Sequence, residues 1–174
     1  MKIVFILPAI GKKPGQPYIK TWQTIAPLTI SLLKALTPAE HETLFFDDRR
    51  ELIDYDVAAD LVAITCEFYT ALRAYRIAAR FRERGIPVVM GGYHPTLCPD
   101  EVAKHADSVI RGNAETVWEK VLADYAAGTP ARHYTGAPEF KRVLPDTSIF
   151  AGRKYATIMA VSKTFFICLH LFGL

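Results

Sequence analysis

Apolar residues in this chain form short runs that are separated by polar, glycine or proline residues. Five of these runs have the length of strands, at residues 3–7, 41–46, 61–66, 86–90 and 107–110. The first run is apolar at every position, which is typical of a strand that is buried on both faces. The pattern therefore predicts a parallel sheet that is covered by helices.

Three further segments have the spacing of helices. Pro27 opens an apolar segment over residues 28–36, since proline suits the first helical turn. Residues 71–82 carry apolar side chains at helical intervals, and Gly85 then provides a stop. Asn113 is a suitable N-cap for a last helix. Strands that alternate with helices predict an α/β fold: a flavodoxin-like, Rossmann-like, doubly wound five-stranded parallel sheet with helices on both faces.

The composition excludes several classes of function. The chain has 174 residues, 51% of them hydrophobic, which suffices for one packed domain. A net charge of only +3 argues against nucleic acid or an anionic membrane as a partner. Three widely spaced cysteines indicate neither a disulfide scaffold nor a zinc ligand set. No apolar stretch approaches the ~20 residues of a membrane helix, and the first run is too short for a signal peptide. We therefore expect a cytoplasmic protein.

Proline and glycine cluster at residues 8–17 and 128–145. Such clusters are typical of irregular segments, so we interpret the first as part of a long loop over 8–23 and the second as a linker. The predicted organisation is one cofactor-binding domain over residues 1–140, followed by a linker and a C-terminal tail over 141–174.

The loops that follow the strands hold the candidate binding residues, because ligands of doubly wound sheets bind beyond the carboxyl ends of the strands. No residue is predicted to be catalytic or to ligate a metal. The candidate cofactor-binding residues are Asp47, Asp48, Thr65, Cys66, Glu67, Tyr69, Gly91, Gly92, Tyr93, His94, Gly112, Asn113 and Glu115.

Several of these residues also have a purely structural interpretation. Gly91 and Gly92 follow a strand, where they could admit a ligand close to the backbone or simply form a tight turn. Thr65 could hydrogen-bond a ligand or merely end its strand, and Cys66 fits a small core residue better than a nucleophile. His94 offers a titratable nitrogen to a ligand, although loop histidines are often only solvated. The sequence contains no G-x-G-x-x-G or P-loop phosphate motif.

The order and spacing of these segments closely resemble the cobalamin-binding domain of cobalamin-dependent radical-SAM enzymes. The resemblance covers about residues 1–150, and its most specific stretch is Val88-Val89-Met90-Gly91-Gly92-Tyr93-His94-Pro95-Thr96. It implies that residues 1–140 bind cobalamin, with the corrin ring over the carboxyl edge of the sheet. The nucleotide tail would then enter the fold near Thr65 and Gly91-Gly92.

Two departures from the family refine this expectation. Classical cobalamin domains carry D-x-H-x-x-G, but the matching residues 47–52 contain neither His nor Gly. This implies base-off cobalamin, bound without a histidine from the protein. Family members also continue into a barrel that opens with C-x-x-x-C-x-x-C and holds a [4Fe–4S] cluster, whereas this chain has only Cys168 in that region.

The cluster and S-adenosylmethionine are therefore expected only for full-length members of this family of methyltransferases and cyclases. The chain is expected to be truncated before the barrel and not to be catalytic alone. A radical-SAM catalytic domain or a separate subunit is the expected partner, together with the corrinoid itself.

Two other functions stay open at this point. A flavodoxin-like module for a flavin or nucleotide would share the fold, although loop 8–23 supplies mainly Gly, Pro and Lys and not the Ser and Thr of a phosphate loop. The chain could also be a structural remnant that binds nothing.

Overall fold

The computed structural model describes residues 1–10, 25–139 and 142–155, together with the backbone of residues 160–161 and 166–167. Most of the predicted loop 8–23, Cys168 and much of the predicted tail lie outside the described residues. The backbone at 160–161 and 166–167 forms an antiparallel pair of two-residue strands, β7 (Ala160–Val161) and β8 (Phe166–Ile167).

A parallel sheet of six strands forms the centre of the fold, in the order β2-β1-β3-β4-β5-β6. This is the flavodoxin-like order with one strand added at the edge, so the predicted α/β class is confirmed. The strands are β1 (Lys2–Leu7), β2 (Glu42–Asp47), β3 (Leu61–Thr65), β4 (Val88–Gly91), β5 (Ser108–Arg111) and β6 (His133–Thr135).

The predicted count of five strands is wrong, because β6 lies inside the segment that we interpreted as a linker. It pairs with β5 in parallel, and Ile110 stands opposite Tyr134. Only Tyr134 of its three residues is buried. An edge strand this short has no run of apolar residues, so an apolar pattern cannot reveal it.

Helices cover both faces of the sheet. They are α1 (Leu28–Ala35), α2 (Ala71–Glu83), α3 (Tyr93–Leu97), α4 (Pro99–Val102) and α5 (Trp118–Ala126). Side chains alternate along each strand, so Ile3 and Phe5 pack against α1 and α5, whereas Val4 and Ile6 pack with α2 and α4 on the opposite face. No helix among the described residues is long and apolar enough to cross a membrane.

Two local predictions need correction. Asn113 does not cap a helix with its side chain. Its amide instead donates to the carbonyl of Pro138 at 3.1 Å, and α5 begins only at Trp118. We also predicted a loop after Gly92, but residues 93–97 form α3, although Pro95 lies within that helix.

Residues 147–155 lie against the sheet. Phe150 is buried and packs edge-on against Phe45, with ring centroids 5.6 Å apart. Arg153 donates to the carboxylate of Glu51 at 2.8 Å and to the carbonyl of Phe45 at 2.6 Å. This segment therefore contributes to the core on the α1 and α5 face. The division into residues 1–140 and 141–174 stays a prediction.

Candidate functional site

The carboxyl ends of the strands meet at one edge of the sheet, which we call the rim. The register aligns Leu7 with Asp47 and Thr65 with Gly91. The strand order changes direction at β1, which lies between β2 and β3, and ligands of open α/β sheets bind at such a switch point. The rim beside β1 and β3 is therefore the part of the fold best suited to bind a ligand.

An apolar slot runs from the rim into the fold, between the sheet and the helices α1 and α5. The slot is narrow: its total empty space is about 360 Å³, and that figure includes open solvent at its mouth. It reaches two residues below the rim on β3, or about 7 Å. The slot is lined by Phe5, Thr29, Ile30, Leu33, Ala63, Ile64, Thr65, Val89, Gly91, Gly92, Ile110, Ala114 and Trp118.

Three of the predicted site residues, Thr65, Gly91 and Gly92, line this slot. The lining residues that sequence reasoning missed come from α1, from the strands β1, β3, β4 and β5, and from Ala114 and Trp118 at or just before the start of α5. Trp118, for example, is fully buried, and its indole donates to the hydroxyl of Thr37 at 2.9 Å. The nearly continuous apolar character of α1 was a possible signal, since a helix that is apolar all round has more than one face to cover.

Gly92 is required by the backbone at the mouth of the slot. Its φ is +118°, and a Cβ at this position would lie 2.7 Å from the carbonyl oxygen of Cys66. The Cys66 amide donates to the Gly91 carbonyl at 2.7 Å, and its own carbonyl accepts from His94 at 3.2 Å. A Cβ on Gly91, by contrast, would make an ordinary contact of 3.6 Å with Ile110. The two glycines therefore have different roles.

Asp47 and Asp48 are buried in ion pairs at the end of β2. The guanidinium of Arg49 donates to both oxygens of Asp47 at 2.8 Å, and the Tyr155 hydroxyl donates to Oδ2 at 3.0 Å. Arg73 of α2 donates to both oxygens of Asp48 at 2.9 Å. Both carboxylates are therefore already engaged by side chains of the chain itself.

Cys66 is completely buried directly after β3. Burial, reinforced by the nearby carboxylates of Glu67 and Glu101, raises the pKa of its thiol from 9.0 to about 12. Burial also raises the pKa of the Glu67 carboxyl. The Cys66 side chain is therefore an uncharged core group at neutral pH, as the structural interpretation of this residue predicts.

We expect iodoacetamide at pH 8 to modify Cys98 and to leave Cys66 unmodified in the folded chain. A pKa near 12 lowers the thiolate fraction of Cys66 by about 1,000-fold relative to an ordinary cysteine, whereas Cys98 is only half-buried. Peptide mass spectrometry, before and after unfolding in urea, measures both sites. Equal labelling of the two thiols in the folded protein would contradict the prediction.

Large apolar side chains are exposed beside the ends of β3 and β4. We call this surface the rim patch and define it as Phe68, Tyr69, Leu72, Tyr93 and Leu97, whose exposed fractions range from 63% to 76%. It contains two predicted site residues, Tyr69 and Tyr93. Several large exposed apolar side chains at the ligand-binding edge of a sheet are typical of a surface that binds a ligand or a partner.

His94 lies under this surface and not on it. Its side chain is only 4% exposed, and its ring packs against Phe68 with centroids 5.6 Å apart. Nε2 lies 2.9 Å from the hydroxyl of Tyr75. The imidazole therefore does not project above the rim as a loop residue would.

Gly112, Asn113 and Glu115 form the part of the rim that follows β5. The Gly112 amide donates to the Thr96 hydroxyl at 2.9 Å, which connects this loop to α3. Glu115 is half-buried beside Ala114, a residue of the slot. These three residues thus border the slot without lining it.

No family model matches the chain. It is similar to two proteins of Chlorobaculum tepidum. The bacteriochlorophyllide d C-8(2)-methyltransferase is 36% identical over 137 residues, which are 78% of this chain and 29% of that protein. The bacteriochlorophyllide d C-12(1)-methyltransferase is 32% identical over 147 residues, 79% of this chain and 32% of that protein. The chain is related to one part of these methyltransferases. It spans about a third of the length of either relative.

Proposed function

We propose that this chain is the cobalamin-binding part of a methyltransferase system. In this proposal the nucleotide tail of the cofactor occupies the apolar slot, and the corrin ring lies over the rim patch. The slot carries the proposal, because it opens at the carboxyl edge of the sheet, at the ends of β3 and β4 beside the switch point, and is lined by Thr65, Gly91 and Gly92. The relationship to two methyltransferases supports the reaction class.

The shapes and polarity of the two surfaces fit the two halves of the cofactor. The slot is lined mainly by apolar side chains, which suit the face of an aromatic base, and it is too narrow for a whole corrin ring. The exposed rings of Phe68, Tyr69 and Tyr93 offer flat apolar contacts for the larger macrocycle outside the slot. Thr65 supplies a hydroxyl at the mouth, where the polar part of the tail would pass.

The proposal includes a cobalt centre without a histidine ligand from the protein. The loop after β2 contains Asp47, Asp48 and Arg49 and no imidazole. His94, the histidine among the predicted site residues, is buried, and its Nε2 is engaged by Tyr75. A nucleotide base that lies in the slot would not coordinate cobalt, so the bound cobalamin would be in the base-off form.

Cobalamin, when bound, supplies the cobalt centre through which a methyl group is transferred. The chain itself binds and orients the corrinoid and excludes water from the tail through Phe5, Ile110 and Trp118. The [4Fe–4S] cluster and S-adenosylmethionine would be held by a catalytic domain or by a separate subunit. The chain alone is therefore proposed to be a binding module and not a catalyst.

Titration of the purified chain with hydroxocobalamin and methylcobalamin tests this proposal. We expect saturable binding with a base-off absorbance spectrum, and a cob(II)alamin EPR spectrum without hyperfine splitting from a nitrogen ligand. FMN serves as the comparison ligand. Failure to retain either corrinoid would overturn the proposal, and retention of FMN instead would favour a flavin module. Nitrogen splitting in the EPR spectrum would disprove the histidine-free cobalt centre.

A tryptophan at the mouth of the slot should block the nucleotide tail. Thr29 is an exposed residue of α1 that borders the slot, whereas Ala35 is exposed on the same helix away from it. We expect Thr29→Trp to weaken methylcobalamin binding at least about tenfold, a change of about 1.4 kcal/mol, and Ala35→Trp to leave it unchanged. The absorbance titration measures both. Equal affinities of the two variants would indicate that the tail does not enter the slot.

A further inference from the structure

Three potential metal ligands lie together on the side of the sheet opposite the slot. His94 of α3, Cys98 between α3 and α4, and Glu101 of α4 each place one donor atom within 4.8 Å of the other two. An imidazole nitrogen, a thiolate and a carboxylate are a donor set that Zn²⁺ and related ions accept. The cysteine spacings did not indicate this group, because only one of its members is a cysteine.

Hydrogen bonds hold two of the three side chains in place. The Tyr75 hydroxyl donates to Oε1 of Glu101 at 2.8 Å and lies 2.9 Å from Nε2 of His94. The separation between Nε2 and the same carboxylate oxygen is 3.5 Å. The Tyr75 ring is itself fixed by stacking on His105 at 3.9 Å. The histidine and the glutamate are therefore preorganised by α2.

An unsatisfied nitrogen is the second observation that points to a ligand. Nδ1 of His94 is buried and has no hydrogen-bond partner in the described part of the chain. A carboxylate can only accept, so the single proton of the Tyr75 hydroxyl goes to Glu101, and the Tyr75 oxygen accepts from Nε2. Nδ1 then keeps an unused lone pair, whereas the nitrogen that lies 3.5 Å from Glu101 is Nε2, so coordination through Nδ1 requires the imidazole ring to reorient within the site. Buried polar atoms are rarely left without a partner, and an ion or water is a common explanation.

We propose that His94, Cys98 and Glu101 bind a thiophilic divalent transition-metal ion, with Zn²⁺ as the representative. The largest distance between two of the donor atoms must decrease by about 1 Å to reach the distance between ligand atoms around a tetrahedral ion. Rotation of the half-buried Cys98 side chain can supply this change. Half of the Glu101 side chain is exposed, so solvent has access to the site. The bound ion would hold α3 and α4 together.

This proposal goes beyond the proposed cobalamin function and does not depend on it. The slot lies against α1 and α5, whereas the metal ligands pack on the α2 face. The two sites can therefore be tested separately in the same chain, with the metal titrations performed without corrinoid.

Titration of the untagged full chain with Co²⁺ provides a direct test. We expect a thiolate-to-cobalt charge-transfer band in the near ultraviolet that Zn²⁺ displaces. The band should disappear in Cys98→Ser and persist in the control variants Cys66→Ala and Cys168→Ala. Zn²⁺ should also protect Cys98 from iodoacetamide. Absence of the band from the unsubstituted chain, or its persistence in Cys98→Ser, would overturn the proposal.

The carboxylate is tested by a matched pair of variants on α4. We expect Glu101→Gln to weaken Co²⁺ binding at least about tenfold and the neighbouring Asp100→Asn to leave it unchanged. Because His94 is buried and its replacement could unfold the chain, the accessible residues Cys98 and Glu101 carry the test. Equal Co²⁺ affinities of Glu101→Gln and Asp100→Asn would exclude the carboxylate as a ligand and overturn the site as proposed.

Discussion

Replacement of Arg73 by methionine is expected to lower the free energy of unfolding by about 3–5 kcal/mol. The Asp48 side chain is fully buried, and Arg73 donates to both of its oxygens at 2.9 Å. Methionine retains much of the apolar stem of arginine, so the main loss is the positive charge. The buried carboxylate of Asp48 then loses the positive charge and both hydrogen bonds that Arg73 supplies, while it still accepts from the Ala9 amide at 2.9 Å.

Urea denaturation of matched variants measures this effect. Lys120→Met removes an exposed ion pair with Asp124 within α5 and should cost no more than about 0.5 kcal/mol. The double variant Asp48→Asn/Arg73→Met should be more stable than the sum of its single changes predicts, because it removes both charges. An Arg73→Met loss as small as that of Lys120→Met would show that the buried pair is not important for stability.

The second large effect is expected for Gly92→Ala, which should cost about 2–4 kcal/mol. A φ of +118° is unfavourable for alanine, and the added Cβ would lie 2.7 Å from the Cys66 carbonyl. That carbonyl accepts from the His94 amide, so a shift that relieves the clash would disturb the start of α3.

Substitutions at two other glycines separate the energetic cost of a positive φ from the cost of a close contact of the added Cβ. Gly85 has φ +74° but nothing within 4 Å of its added Cβ, so Gly85→Ala should cost only about 1–2 kcal/mol. Gly91→Ala should cost less than about 1 kcal/mol, because its contact with Ile110 is ordinary. The urea concentration at the denaturation midpoint should therefore be highest for Gly91→Ala, intermediate for Gly85→Ala and lowest for Gly92→Ala. A Gly92→Ala variant as stable as Gly91→Ala would contradict the close packing at Cys66.

Local patterns predicted the central strands because burial on both faces leaves a direct trace in the sequence. The apolar run that became β1 needs no knowledge of its neighbours to be recognised. The edge strand β6 left no such trace, since it buries a single side chain, Tyr134. Similarly, α3 was missed because Gly-Gly and proline dominate its local signal, although tertiary contacts hold residues 93–97 in a helix.

The candidate site was predictable in position but not in detail. The alternation of strands and helices is enough to bring Thr65, Gly91 and Gly92 to one rim. The partners of Asp47 and Asp48 were not predictable, because Arg73 lies 25 residues away from Asp48 and Tyr155 lies 108 residues away from Asp47.

The sequence by itself determined the parallel α/β sheet, the rim at which its loops converge and the resemblance to cobalamin-binding domains, because these depend on residue order and local periodicity. The tertiary structure decided which rim residues are already occupied by ion pairs, that an apolar slot opens between the sheet and the helices α1 and α5, and that His94, Cys98 and Glu101 lie close together. These properties depend on how helices from distant parts of the chain pack on the sheet, and local patterns do not encode that packing.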